Sequence, residues 1–189
     1  MFLLAVTCCP LVANGQHEEG LLSVQSADDS TSRANLSLFE VNASGFVSVP
    51  PPQAWQVLTD YEHLAAFVPG MTYSKVLSRG ENEATLEQES RGNFLFLSRT
   101  VRVVVQVNEL PFSDIDVKLI SGDMKYYRAH WTLTPAEQDG RSGTLIAYAG
   151  VMEPAFFIPP LVGPRLVRSI AQQTMDAVVS EIEKRNARQ

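Results

Sequence analysis

The chain has 189 residues, 45% of them hydrophobic, and a formal net charge of −6, which suits a single globular domain with a substantial core. The negative charge disfavours a nucleic-acid-binding surface, where a basic stripe is expected. No run of about 20 apolar residues occurs, so the sequence predicts no membrane-spanning helix.

Residues 1–35 are predicted to form an extension ahead of a domain at residues 36–189. Residues 2–12 are apolar and small residues follow at 13–15, a spacing that a secretory signal would have. Against export, no Lys or Arg precedes the apolar stretch, and Pro10 interrupts it. Both alternatives stay open: an exported chain, and a cytoplasmic chain with a loose extension, which we prefer.

Cysteine occurs only at Cys8 and Cys9, inside this extension. Thiolate nucleophiles, disulfide bonds and zinc–thiolate sites are therefore excluded from the domain itself. Residues 16–35 are polar and rich in Ser and Asp, which predicts a linker.

The domain opens with a predicted strand at 36–49, in which Gly45 suggests a bulge or bend. The prolines at 50–52 end this strand, because proline lacks an amide donor and suits the first turn of a helix. A short helix follows. Thr59 and Glu62 then have the spacing of a capping box, which predicts a second short helix that ends at Pro69.

Alternation of apolar and polar residues continues to residue 153 and is broken by short turns, the pattern of an antiparallel meander. It predicts six further strands, at 73–78, 83–91, 94–110, 114–120, 124–134 and 144–152. The strand count is then seven.

Helical spacing begins after the prolines at 159–160 and continues to residue 188. One apolar stripe is predicted along this helix: Val162, Leu166, Ile170, Thr174, Ala177, Val178 and Ile182. The fold class is therefore α+β, with a curved seven-stranded antiparallel sheet around one long C-terminal helix. A wedge-shaped apolar space between such a sheet and a single helix is a typical site for a small ligand.

Two segments carry a family resemblance. VPPPQAWQVLTDYEHLAAFVPGM, followed by SKVLSRG, resembles the N-terminal signature of the START-like superfamily, which includes the Bet v 1 allergens. NELPFSDIDVKLISGDMKYYRAHWTLTP is similar to the central part of its polyketide cyclase/dehydrase and coenzyme Q-binding branch. The resemblance implies a helix-grip fold, with two short helices between strands 1 and 2 and a hydrophobic cavity. It implies less about activity, because the superfamily contains binders, chaperones and true cyclases.

In this fold the core and the cavity wall share residues, so the inward strand positions and the helix stripe are candidate ligand contacts. Tyr127, Trp131 and Tyr148 combine a large apolar surface with a polar group, and they could either orient a planar ligand or serve as ordinary core residues. Gln88 and Ser90 are inward polar groups that need partners. The predicted cavity-lining set is Leu86, Gln88, Val103, Val105, Ile115, Val117, Tyr127, Trp131, Tyr148, Met152, Leu166 and Ile170.

No catalytic residue, metal site or cofactor is predicted. His130 falls on the strand face opposite the aromatic residues, and neither it nor His63 has further ligands at metal-site spacing. The acidic pairs Glu87/Glu89 and Asp114/Asp116 indicate a solvated strand face. Nucleophile-elbow, phosphate-loop and dinucleotide motifs do not occur in the sequence.

The segment VMEPAFFIPPLVGPRL is an apolar loop before the last helix. Ile158 and Val162 are predicted to anchor the helix to the sheet. Phe156 and Phe157 are candidates for a cavity mouth that touches a membrane transiently, since exposed aromatic residues mark interaction sites.

These patterns favour a non-catalytic domain that binds or carries a hydrophobic small molecule, such as a lipid, a quinone or a polyketide-like ring system. Two alternatives stay open. One is an enzyme of the polyketide cyclase or dehydratase type. The other is a protein-interaction module whose cavity is filled by its own side chains.

Overall fold

The computed structural model describes residues 38–94, 97–159 and 161–188. The predicted N-terminal extension, with Cys8, Cys9 and the apolar segment 2–12, lies outside these residues. The described elements are β1 (Phe39–Val47), α1 (Pro51–Leu58), a 3₁₀ helix (Tyr61–Ala66), β2 (Met71–Arg79), β3 (Glu83–Phe94), β4 (Leu97–Leu110), β5 (Asp114–Gly122), β6 (Met124–Gln138), β7 (Arg141–Pro154) and α2 (Gly163–Asn186). Across these ranges no helix has the length and hydropathy needed to span a bilayer.

The strands form one antiparallel sheet of seven in the order β1-β7-β6-β5-β4-β3-β2, so the predicted fold class is confirmed. Strands β2 to β7 pair with their neighbours in sequence, and β1 joins the far edge beside β7. Register shifts interrupt the β2–β3, β4–β5 and β6–β7 pairs. Such bulges increase the local twist, which helps the sheet to curve around α2.

The two short helices carry the chain from one edge of the sheet to the other. Prolines at the start of α1 suit the first helical turn, where an amide donor is not needed. The predicted capping box of Thr59 and Glu62 is wrong, because the Thr59 hydroxyl donates to the Trp55 carbonyl at 2.9 Å. The next helix is a 3₁₀ helix that starts after Asp60. Arg185 of α2 bonds the Asp60 carboxylate at 2.8 Å, so this turn supports the end of the long helix.

The apolar stripe of α2 that packs on the sheet is shifted from the predicted one. Val162 precedes the helix, and Ile170 is 43% exposed. The buried residues are Val167, Met175, Val178 and Ile182. The reason is that α2 has two adjacent apolar faces, one against the sheet and one, with Leu166 and Ile170, along a cavity.

Gly45 lies at a close approach of α2 to the sheet and is not a bulge. The β1–β7 register runs without a shift from Phe39 to Val47. A Cβ atom on Gly45 would lie 2.6 Å from Cγ2 of Val179 and 3.3 Å from the Met175 side chain. The missing side chain therefore lets the helix lie directly on β1.

The loop before α2 is anchored by Ile158, as predicted, but not by Val162. Ile158 is buried in a small second core with Phe39, Val41 and Val167. Val162 is exposed to solvent. This second core fixes the start of α2 at the end of the sheet where β1 begins and β7 ends.

Candidate functional site: a cavity between the sheet and α2

A cavity of about 600 Å³ lies between the inner face of the sheet and α2. This volume is typical of small-molecule sites, at roughly 300–1,000 Å³. The 3₁₀ helix closes one side through Tyr61 and Leu64, and Phe156 and Ile158 border the cavity near the start of α2.

All twelve residues predicted to line a cavity border this one: Leu86, Gln88, Val103, Val105, Ile115, Val117, Tyr127, Trp131, Tyr148, Met152, Leu166 and Ile170. Strand alternation explains the agreement, since successive inward positions of β4 present valine to the same side. That these side chains contact a ligand stays a prediction.

Several wall residues were missed from the sequence. Ser169 and Gln173 come from α2, Arg91 from β3, and Met71 and Met124 from strand ends. Helical spacing from Leu166 and Ile170 is the signal that could have identified Gln173, because residues three and four apart share a helix face. For the strand-end residues the sequence carries no comparable signal.

An aromatic pair forms the centre of the wall on β6 and β7. Trp131 and Tyr148 are partners in the strand register, and their ring centroids lie 4.7 Å apart. Gly150 makes room for the tyrosine, since a Cβ atom there would lie 2.8 Å from Cζ of Tyr148. The tyrosine ring therefore lies along its own strand.

The hydroxyl groups of Tyr127 and Tyr148 lie close enough for each to influence the pKa of the other. Burial raises the pKa of both, and the neighbouring Tyr127 raises the pKa of Tyr148 further, well above its ordinary value. Both groups are therefore protonated at neutral pH. They can donate hydrogen bonds to a ligand, but neither can accept a proton.

Gln88 adds a polar group to the otherwise apolar β3–β4 wall. Its Nε2 lies 3.4 Å from Oγ of Ser74, a long hydrogen bond. No second hydrogen bond to this carboxamide is formed within the described ranges, so the group can still bond to a ligand or to water.

Among the described residues, the cavity wall contains no Asp, Glu, His, Lys or Cys. Its only ionisable side chains are Arg91 and the tyrosines. A general base must lie within hydrogen-bond reach of the proton that it removes. This wall is therefore suited to burying an apolar body and bonding a few polar atoms, and it is poorly suited to proton abstraction.

A buried carboxylate holds the 3₁₀ helix against the sheet just outside the cavity. Glu109 accepts a hydrogen bond from the Tyr61 hydroxyl at 2.7 Å and two from Arg79 at 2.8 and 3.0 Å. Burial is the main cause that raises the pKa of Tyr61, and the bond to Glu109 adds to it. The cluster fixes the position of Tyr61 in the cavity wall.

Both histidines of the domain lie on the surface, as the sequence predicted. His63 Nδ1 lies 2.6 Å from Asp60, and His130 Nδ1 lies 2.9 Å from Asp116 on the outer face of the sheet. Glu89 bonds Arg102 at 2.7 Å on the same solvated face. Over the described ranges, no group of His, Cys, Asp and Glu is arranged to hold a metal ion.

Residues 47–179 match the family described as "Polyketide cyclase / dehydrase and lipid transport". No curated protein sequence matches the chain.

Solved structures resemble the whole domain. The Zhui aromatase/cyclase of Streptomyces sp. R1128 has a TM-score of 0.62 and 15% identity, over 78% of this chain and 95% of that one. A START superfamily protein of Mycobacterium smegmatis has a TM-score of 0.64 and 14% identity, over 77% and 97%. A STAR-related lipid transfer protein fragment of Xanthomonas axonopodis has a TM-score of 0.61 and 14% identity, over 75% and 84%.

At these identities the likeness shows the fold alone, and it is the fold that the sequence resemblance implied. Coenzyme Q binding stays a prediction. The family description names cyclases, dehydrases and lipid transport, so hydrophobic ligand binding and cyclase-type activity are the functions that it indicates. Since the match covers most of the domain, the chain belongs to the polyketide cyclase / dehydrase and lipid transport family.

Proposed function

We propose that the protein binds or carries a hydrophobic small molecule in its cavity and catalyses no reaction on it. The observation that carries the proposal is the composition of the wall. It encloses about 600 Å³ with mostly apolar side chains, and its described residues include no carboxylate and no histidine. Binding would be driven by apolar burial, at roughly 25 cal/mol per Å².

The polar groups of the wall indicate what the ligand carries besides its apolar body. The Tyr127 and Tyr148 hydroxyls are donors, and the Gln88 carboxamide offers both a donor and an acceptor. A lipid, a quinone or a polyketide-like ring system has oxygen atoms for these donors. Trp131 adds an aromatic surface beside Tyr148, which favours a planar group in the ligand.

An enzyme of the polyketide cyclase type is the second candidate, and membership of the family favours it. Cyclisation of a polyketone requires removal of a proton from carbon. The tyrosines hold their protons at neutral pH because burial raises their pKa. The described wall therefore supports binding better than this chemistry. The third alternative, a cavity filled by its own side chains, is disfavoured by the open volume.

The proposal is tested with the purified full chain. Native mass spectrometry before and after organic extraction should reveal a co-purified ligand, and the extracted protein should bind decylubiquinone or palmitic acid with a mass shift of one ligand. An extracted protein that binds neither probe, nor 1-anilinonaphthalene-8-sulfonate, would overturn the proposal. Conversion of a linear poly-β-ketone thioester into an aromatic product would establish the enzyme instead.

A further inference from the structure

The loop between β7 and α2 presents apolar side chains to solvent. Phe157 is 81% exposed and Leu161 is 91% exposed, and Val162 is exposed beside them. Single exposed apolar residues are common on protein surfaces. Three within six positions, beside Phe156 and Ile158 of the cavity wall, are a concentration of exposed apolar residues of the kind that marks an interaction site. We call Phe157, Leu161 and Val162 the lip.

The lip is held outward by its anchored neighbours. Ile158 is buried with Phe39 and Val41 in the second core. The guanidinium of Arg99 lies 4.2 Å from the ring centroid of Phe156. Because both neighbours of Phe157 in this loop are fixed, its ring remains exposed next to the cavity.

Positive charge surrounds the lip, although the chain as a whole is acidic. Residues 154–175 contain Arg165 and Arg168 and no Asp or Glu. These two arginines are exposed on the first turns of α2, and Arg99 lies beside Phe156. In the described part of the chain, Arg99, Arg165 and Arg168 form no salt bridge with a carboxylate.

Two carboxylates at this end of the sheet are engaged by other groups, whereas Glu40 on β1 is exposed. Glu153 bonds Lys125 at 3.0 Å, and Asp123 accepts a hydrogen bond from the Arg102 backbone amide at 2.9 Å. Glu181 and Asp60 pair with Arg185 at the opposite end of α2. A helix of 24 residues spans about 36 Å, so those acidic groups are screened from the lip at physiological salt.

We propose that the lip and the three arginines form a docking surface for an anionic phospholipid bilayer. Apolar side chains that enter the interface, together with cations that contact anionic head groups, are the two attractions that hold peripheral proteins on membranes. A stable protein partner would require about 800 Å² on each side, far more than three lip side chains provide. Docking in this orientation brings the cavity wall at Phe156 next to the bilayer. Membrane docking is separate from the proposed function, because it concerns the location of the protein and not the ligand in its cavity.

The test is co-sedimentation of the full chain with vesicles. The protein should sediment with vesicles of phosphatidylcholine and phosphatidylglycerol, and much less with phosphatidylcholine alone. The double variant Phe157→Ser/Leu161→Ser should lose at least about tenfold in partitioning, since two large side chains no longer leave water. Arg165→Glu/Arg168→Glu should lose more than about twentyfold, at about fivefold for each arginine removed and further for each acid introduced.

Matched control variants replace the same types of side chain at exposed positions away from the lip. Leu77→Ser/Leu110→Ser removes exposed leucines far from the lip, and Lys118→Glu/Arg141→Glu reverses two exposed cations. Both double variants should sediment with the vesicles like the unchanged protein.

The proposal is overturned if the unchanged protein does not bind anionic vesicles, or if the lip variants bind them as well as the controls do. It is also overturned if analytical ultracentrifugation shows a dimer that Phe157→Ser/Leu161→Ser converts to a monomer, since the lip would then bind a second copy. Native mass spectrometry of cavity ligands is independent of all these outcomes.

Discussion

Trp131 and Tyr148 face each other across the β6–β7 register, with ring centroids 4.7 Å apart and ring planes inclined by 56°. The separation lies within the range of roughly 4.5–7 Å that favourable aromatic pairs adopt. This arrangement leaves the Tyr148 hydroxyl beside that of Tyr127 at the cavity wall. The two rings therefore combine a packing role with a polar group that a ligand can reach.

Removing only the Tyr148 hydroxyl should weaken ligand binding and leave the fold intact. We expect Tyr148→Phe to bind decylubiquinone about three- to tenfold more weakly, the usual loss for one hydrogen bond. Titration followed by tryptophan fluorescence, to which Trp131 of the cavity wall contributes, measures the change. Tyr126→Phe, at an exposed tyrosine two positions from Met124, is the matched control and should bind normally. Equal affinities of the two variants would show that the hydroxyl does not contact the probe.

Gly150 should be sensitive to a single added methyl group. Its Cβ atom would lie 2.8 Å from Cζ of Tyr148, so the ring must move off its strand. We expect Gly150→Ala to lower the free energy of unfolding by about 1–3 kcal/mol, the usual cost of overpacking. In a Tyr148→Ala background the same change should cost much less, because the clash is gone. Urea unfolding of the four proteins in this cycle measures the coupling, and additive losses would refute it.

A larger side chain in the cavity should block ligand binding without preventing folding. Val103 and Val104 are neighbours on β4, but only Val103 lines the cavity. We expect Val103→Phe to reduce binding of 1-anilinonaphthalene-8-sulfonate more than about tenfold, because the larger ring occupies ligand space. Thermal unfolding should show that the fold is retained. Val104→Phe is the control on the opposite face and should bind the probe normally; a similar loss in both variants would mean that the probe binds elsewhere.

The inward strand faces were predictable because their pattern is local. Each second residue from Val101 to Val107 is valine, and a strand turns alternate side chains to the same side. It was less predictable which face of α2 packs on the sheet, because apolar residues occur on both faces, with Ile170 on one and Met175 on the other. Only the packing on β1 determines which of them is buried, and that depends on Gly45, more than a hundred residues away.

The cluster of Arg79, Glu109 and Tyr61 was also missed. Its members are 30 and 48 residues apart in sequence, so no local pattern joins them. Alternation did contain a clue, since Glu109 continues the inward series that ends at Val107. A carboxylate at an inward position requires a partner, and only the fold identifies Arg79 and Tyr61 as that partner.

Neutralising Glu109 should destabilise the protein more than neutralising a surface carboxylate. The Glu109 side chain is 4% exposed, and it accepts bonds from Tyr61 and Arg79. We expect Glu109→Gln to lower the free energy of unfolding by about 2 kcal/mol, because a half-buried guanidinium loses its charge partner. Glu89→Gln breaks an exposed pair with Arg102 and should cause a much smaller loss in the same urea titration. Equal losses in the two variants would show that burial does not increase the contribution of Glu109 to the free energy of unfolding.

Alkaline pH should destabilise the fold through the buried tyrosines. Burial raises the pKa of Tyr61, Tyr127 and Tyr148 above the ordinary value of 10.0. Above about pH 10 the unfolded chain releases these protons while the folded chain keeps them, so the unfolded state binds fewer protons and the free energy of unfolding falls with pH. The stabilisation is complete below that pH and is lost as pH rises toward the folded-state values.

Urea unfolding between about pH 8 and pH 11.5 measures this slope, since the range brackets the ordinary tyrosine pKa near 10. Tyr148→Phe removes one of the titrating groups and should flatten the decline, whereas Tyr126→Phe should leave it unchanged. Tyr148 is the most informative choice because its pKa is raised by Tyr127 as well as by burial. If the Tyr148→Phe slope equals that of the unchanged protein, the hydroxyl ionises as readily in the folded chain as in the unfolded chain. The Tyr127–Tyr148 pair would then be open to water and not enclosed by the cavity wall.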